Sequence, residues 1–266
     1  MSHYATSTVL LLVSGAAYAE VVPEEVRSPD VDAIGLLATA RHHELVLDSA
    51  YEHADGSDAI ALVPGARIAA GELWFLEGAL PLGYGLQAHA LALGNVTVTG
   101  GVLPSDQRLV ALALRISAAT SPELGSVMTT VAALATPRVA DPELFLPHTT
   151  SAELVADWRW RGDNSWVQAE AGVAGWWQPA THVETVLRAS IAGGVHVERR
   201  LDLTASFVTR SFVFVSGAPE GFVHTLILGL VTHIARGEIA FRLEVPVDNS
   251  ARDHDRFIAG FELRGR

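Results

Sequence analysis

Between His182 and Arg210, apolar and polar side chains alternate one by one. Val183, Thr185, Leu187, Ala189, Ile191, Gly193, Val195 and Val197 hold the odd positions, and His182, Glu184, Val186, Arg188, Ser190, Ala192, Gly194, His196 and Glu198 the even ones, so that every charge falls in the second set. After Arg199 and Arg200 the alternation resumes, with Leu201, Leu203, Ala205 and Phe207 set against Asp202, Thr204, Ser206 and Arg210. A period of two puts one set on each face of a strand, whereas a helix would scatter both sets around its circumference. Two such tracts joined by a charged turn predict an antiparallel hairpin.

The same unit recurs along the chain. Leu45, Leu47 and Tyr51 alternate with Asp48 and Glu52, and Asp55 to Asp58 reads as a turn. Residues 59–70 make the weakest strand, because Pro64-Gly65 interrupts them. Strands are predicted over 73–82, 91–102 and 109–119. Ala152 to Trp160 alternate with Glu153, Asp157, Arg159 and Arg161. Val167 to Val173 oppose Gln168 and Glu170, ending at Trp176-Trp177. The last strands are 222–235, 238–247 and 257–264. Within 182–199, Gly193-Gly194 marks a bend or bulge. This adds up to about twelve strands, most of about 10–12 residues, the length of a tilted crossing of a hydrocarbon layer. Tight turns at 103–107, 162–164, 198–200 and 236–237 alternate with longer connections.

These features predict an all-β, up-and-down antiparallel transmembrane barrel spanning 44–266, with a short helix in a long loop at 121–150. Facing lipid, a charge costs about 2–4 kcal/mol at the bilayer midplane, so a charge-free face belongs outside. The opposite face then lines a lumen: Glu153, Asp157, Arg159, Arg161, Glu170, Glu184, Arg188, Asp202, Arg210, Arg242, Glu244, Glu262 and Arg264, with Glu238 and Arg256 beside them. Tyr51, Trp158, Trp160, Trp166, Trp176 and Trp177 lie near strand ends, where interfacial aromatics belong. The reversed arrangement, a secreted soluble lipocalin-like barrel with its apolar face inside, has the same alternation. Strand length, strand-end tryptophans and loop parity favour the membrane.

Composition sharpens this picture. Mean hydropathy is +0.28, yet beyond residue 19 no unbroken apolar run reaches the roughly 18 residues of a membrane helix. The net charge of -12 argues against nucleic acid. With no cysteine there is no disulfide, thiolate nucleophile or thiolate metal site. Residues 1–19 resemble a signal peptide, with an apolar core from Thr8 to Val13 and Ala17-Tyr18-Ala19 before Glu20, although no Lys or Arg precedes the core. Residues 20–43 form a periplasmic amino-terminal segment. In 121–150, Ser121-Pro122-Glu123 starts a helix and Leu124, Val131 and Leu134 follow at helical spacing, so the loop shapes the mouth of the barrel or caps it.

Candidate chemistry is sparse. Arg41-His42-His43-Glu44 has no spaced third ligand, Asp253-His254-Asp255 sits in a polar loop, and His182 and His196 read as lumen residues pairing with neighbours. No metal site, cofactor or catalytic residue is assigned, and the chain is not read as an enzyme.

At the level of layout the chain resembles Gram-negative outer-membrane barrels. The order Leu80-Pro81-Leu82, then Leu93-Gly94-Asn95-Val96-Thr97-Val98, then a strand entering a long loop, is similar to the transporter-type barrels grouped with meta-pathway phenol degradation. The resemblance implies a channel-like role for small, often apolar solutes, and no catalytic residues. The chain departs from such barrels at its end, Phe261-Glu-Leu-Arg-Gly-Arg266, where an aromatic residue is usual. The expectation is therefore a channel in the cell outer membrane. Its partners would be outer-membrane lipids, a small-molecule solute and the barrel-assembly machinery. An outer-membrane lipid-modifying enzyme is the alternative within the same fold.

Overall fold

The structure, a computed structural model, describes residues 43–54, 57–71, 73–87, 89–103, 110–120, 144, 146, 148–177, 184–198, 200–213, 222–247 and 257–265. The predicted signal peptide, the 20–42 segment, the helix within 121–143, Arg41, His42, His182 and residues 253–256 lie outside them.

Strands account for nearly all of the described chain, and no helix among these residues is long and apolar enough to cross a membrane. We number the strands β1 (Glu44–Ala54), β2 (Ser57–Ala70), β3 (Trp74–Ala79 continued as Leu82–Gly85), β4 (Ala90–Leu93 continued as Thr97–Val102), β5 (Val110–Ser117) and β6 (Thr150–Arg161). Then follow β7 (Ser165–Trp177), β8 (Glu184–Glu198), β9 (Leu201–Val213), β10 (Phe222–Ile234), β11 (Gly237–Pro246) and β12 (Phe257–Gly265). Each strand pairs antiparallel with its chain neighbours, and β1 also pairs with β12, Leu47 facing Leu263. The sheet closes, so no edge keeps unpaired backbone groups, which lipid cannot satisfy.

β3 and β4 are each one strand in two pieces. Both pieces of β3 pair with β2, Trp74–Ala79 against 65–70 and Leu82–Gly85 against 59–62, and the pieces of β4 follow in register. The breaks lie side by side, at Leu80-Pro81 and at Gly94-Asn95-Val96, where the Gly94 N–H donates to the Pro81 carbonyl (2.8 Å). Against expectation, β2 runs unbroken through Pro64-Gly65. Proline has no N–H to give a ladder, but Pro64 stands beside the break in β3 and only its carbonyl is used, by the Leu80 N–H (3.0 Å). Gly193-Gly194 is likewise no bulge, since the β8–β9 register passes through it continuously. The irregularity falls at His196/Glu198.

Both ends of the barrel chain, Glu44 and Gly265, sit at the end closed by the short turns 162–164, 199–200 and 235–236. At the opposite end lie Ser117, Thr150, Trp177, Glu184, Val213, Phe222, Pro246 and Phe257, the strand ends that the longer connections join.

The faces are sharply segregated. The outward positions of β6, β8, β9 and β10 include Leu154 (58 % exposed), Ile191 (56 %), Phe207 and Leu228. Among the described strand residues, the outward face carries a carboxylate or guanidinium nowhere except Asp58 and Glu198, both at strand ends. Exposed aromatics gather at the two rims: Trp74, Trp158 and Trp160 at the short-turn end, and Tyr51, Trp177, Phe222 and Phe257 at the other. A water-facing surface would not exclude charge from a band all round the molecule, whereas an oily layer bounded by two polar interfaces would.

Candidate functional site

The inner face gathers most of the ionisable side chains of the strands. Its acids are Glu44, Asp48, Glu52, Glu77, Glu153, Asp157, Glu170, Glu184, Asp202, Glu238, Glu244 and Glu262. Its guanidiniums are Arg67, Arg115, Arg159, Arg161, Arg188, Arg210, Arg242 and Arg264. Twelve carboxylates therefore face eight guanidiniums, and the described interior is acidic.

Strand register brings these groups together. Arg242 projects from β11 between β12 and β1. It donates from Nη2 to Asp48 Oδ1 (2.8 Å) and from Nε to Glu244 Oε1 (2.7 Å), with Glu262 Oε2 at 3.9 Å. Arg264 also binds Glu262. The opposing residue on β12 is Gly260, and a Cβ there would lie 2.6 Å from Arg242 Nε, so the missing side chain makes room for the guanidinium.

A second network covers β5 to β8. Arg188 binds Glu170 and lies 4.0 Å from Glu153, which Arg115 Nη1 reaches at 3.3 Å. Asp157 Oδ2 accepts from Gln168 Nε2 (2.6 Å), and Gln168 Oε1 accepts from Arg159 Nη2 (2.8 Å). The Arg159 guanidinium sits over the Trp166 ring, 5.6 Å from its centroid. Arg67 on β2 donates to Glu77 Oε2 from Nε (2.9 Å) and stacks on Phe75.

At the short-turn end, Asp202 is fully buried between two histidines. His196 Nδ1 stands 2.5 Å from Oδ1 and His233 Nε2 3.2 Å from Oδ2, while His233 Nδ1 is 3.6 Å from Glu238. At the other end, outside the barrel, Asp58 is shared by Tyr51 (2.6 Å), His53 (2.8 Å) and Gln87 (2.8 Å). Both oxygens of Asp58 are thus engaged in tying β1, β2 and the 86–89 turn together.

Of the residues expected to face inward, Glu153, Asp157, Arg159, Glu170, Asp202, Arg210, Glu244 and Glu262 are buried on this face, and Arg188, Arg242 and Arg264 are partly so. Glu184 and Arg161 lie at its two rims, half-buried, and Arg256 is outside the described residues. Two aromatics do not stand where strand-end position suggested. Trp166 is 2 % exposed and Trp176 5 %, both inside the barrel, so neither meets the lipid interface. They share the parity of Gln168 and Glu170, and the alternation of β7 carries them inward. Trp166 lies over Gly194, where a Cβ would come within 2.5 Å of its Nε1. That contact is the reason for a glycine in the middle of β8. Tyr51, Trp158, Trp160 and Trp177 are exposed at strand ends. Arg67 and Glu77 went unrecognised as partners, because Pro64-Gly65 hid the continuity of β2.

Neither a known family model nor a curated protein sequence matches the chain. Solved structures do. The COG4313 outer membrane channel from Pseudomonas putida F1 superposes with a TM-score of 0.56 over 92% of this chain and 99% of that one, at 11% identity. The NanC porin gives 0.54 over 84% and 99%, at 7% identity. LpxR from Salmonella typhimurium gives 0.51 over 84% and 99%, at 9% identity. The chain has the fold of an outer-membrane β-barrel. At such identities the likeness speaks for the fold alone, and the inner face must argue for itself.

Proposed function

We propose that the protein is a channel of the Gram-negative outer membrane, giving small solutes a path along the barrel axis. The observation that carries this reading is the segregation of charge: an uncharged outer band around a closed wall, and an ion-paired, acid-rich interior. The excess of carboxylates over guanidiniums favours small cations and neutral solutes over anions, because the interior holds a negative potential in a medium of low dielectric. Apolar solutes fit the same reading through the layout resemblance.

The test is reconstitution in planar bilayers and in vesicles, with a salt gradient across the membrane. The expected results are discrete unit conductances, a reversal potential of the sign for cation preference, and changed conductance on neutralising Arg159, Arg188 or Arg242. Unchanged single-channel behaviour in all three variants removes the lumen assignment. Vesicles no leakier than empty ones would overturn the channel. Release of fatty acid from vesicle lipids would instead favour the lipid-modifying alternative, and recovery from the periplasm without detergent the soluble one.

A further inference from the structure

Seven residues of the connection between β5 and β6 are described: 118–120, 144, 146, 148 and 149. Its described part turns inward. Leu144 is buried in a cluster with Ala50, Ala61, Val63 and Ile258, inner-face residues of β1, β2 and β12. Leu146, two residues on, packs against Ala174, Trp176 and Val186 on β7 and β8. In a ring of twelve strands β1 and β7 are half a circumference apart. Ala50 lies four residues inside the end of β1, roughly 10 Å below the rim for a tilted strand. On the other arc the contacts lie nearer the rim, Trp176 one residue and Val186 two residues inside the ends of β7 and β8. A chain that touches both arcs crosses the barrel just inside its mouth, deeper on the β1 side.

It is also held in the middle. Asn95, fully buried at the break in β4, donates its N–H to the Leu144 carbonyl (2.7 Å) and its side-chain Nδ2 to the Leu146 carbonyl (2.7 Å). The Thr149 N–H turns back to the Leu146 carbonyl (3.4 Å). The start of the connection is fastened to the same break: Thr120 Oγ1 accepts from the Val96 N–H and donates to the Gly94 carbonyl, both at 2.9 Å. Interrupting a strand strands backbone groups that must find partners. The Gly94 N–H goes to Pro81 and the Asn95 carbonyl accepts from Thr97 Oγ1 (3.3 Å), while the other partners are the two ends of one connection. The break in β4 thus has a structural explanation: it is a clamp.

We propose that Leu144, Leu146 and Thr149 mark a fixed crossbar in the lumen that sets the size limit of the passage, with Asn95 as its positioning residue. This rests on the channel reading. Two measurements keep the two apart. The chain has no cysteine of its own, so introduced pairs report cleanly. L144C with A61C, and L146C with V186C, are expected to form disulfides under mild oxidation in the folded, membrane-inserted protein. Failure of both pairs to close overturns the crossbar. In bilayers, Asn95→Ala and the near-isosteric Asn95→Asp, which lacks the donor, are expected to raise unit conductance and shift the exclusion limit to larger polyethylene glycols. Oxidising the L146C/V186C pair in the Asn95→Ala background should return both towards wild type. Should Asn95→Ala not fold, Leu146→Ala makes the same test. Closed crosslinks with conductance and exclusion limit unchanged in every variant would overturn the sizing role. Closed crosslinks in a protein that conducts in no form would leave the crossbar standing and remove the channel reading.

Discussion

Replacing Arg242 by methionine tests the interior electrostatics where they are most concentrated. Arg242 meets Asp48 and Glu244 at 2.8 and 2.7 Å and Glu262 at 3.9 Å, with its side chain 9 % exposed. Methionine fills similar volume but leaves three carboxylates close together, with Arg264 beside Glu262 as the remaining described cation of the cluster. Removing one partner of a buried ion pair costs about 3–5 kcal/mol, because the other charge stays buried and uncompensated. R242M should therefore lose about 3–5 kcal/mol of folding free energy. The assay is equilibrium urea unfolding of the reconstituted barrel, followed by tryptophan fluorescence and by the gel-mobility difference between folded and unfolded forms. Neutralising the partners as well, in R242M/D48N/E244Q, should recover most of that loss, since the cost lies in the stranded charges. A loss below about 1 kcal/mol in R242M, the value of an exposed pair, would refute the reasoning. So would a triple variant no more stable than R242M.

Gly194→Ala should destabilise the barrel by about 1–3 kcal/mol, the cost of overpacking, because its methyl meets the Trp166 ring, and G194A/W166F should recover part of it. Ile191→Arg, on the outer face near mid-strand, should cost about 2–4 kcal/mol in vesicles, whereas Thr232→Arg, close to the short-turn rim, should cost at most about 1 kcal/mol. Both are read by the same urea titration, and equal costs at the two depths would contradict the placing of the lipid band.

Much of this molecule is legible in its sequence because lipid imposes a stricter rule than water does. A soluble surface tolerates leucine and a soluble core tolerates an occasional ion pair. The outer wall here tolerates no charge from Leu187 to Val195, so alternation names the face as well as the strand. Pairs across tight hairpins are local and follow from counting: the short turn after β8 brings His196 opposite Asp202. Trp166 and Trp176 lie near strand ends, but parity overrides position: Gln168 and Glu170 mark their face as the inner one. The pairing of Asn95 with Leu144 and Leu146, about fifty residues away, left no local trace. A buried amide at a strand break looks like any loop asparagine until the partner carbonyls are in place. The hub at Arg242 depends on closure between β1 and β12, 194 residues apart for Asp48, and no periodicity encodes that proximity.

Single cysteines in this cysteine-free chain address the central claim, that oily side chains meet lipid and ionic ones are enclosed. Ile191→Cys, Phe207→Cys and Leu228→Cys, placed one at a time in protein reconstituted in vesicles, should resist a charged, membrane-impermeant maleimide and react with a lipid-soluble one. Free reaction of all three with the impermeant reagent would show the apolar band bathed in water and contradict the account.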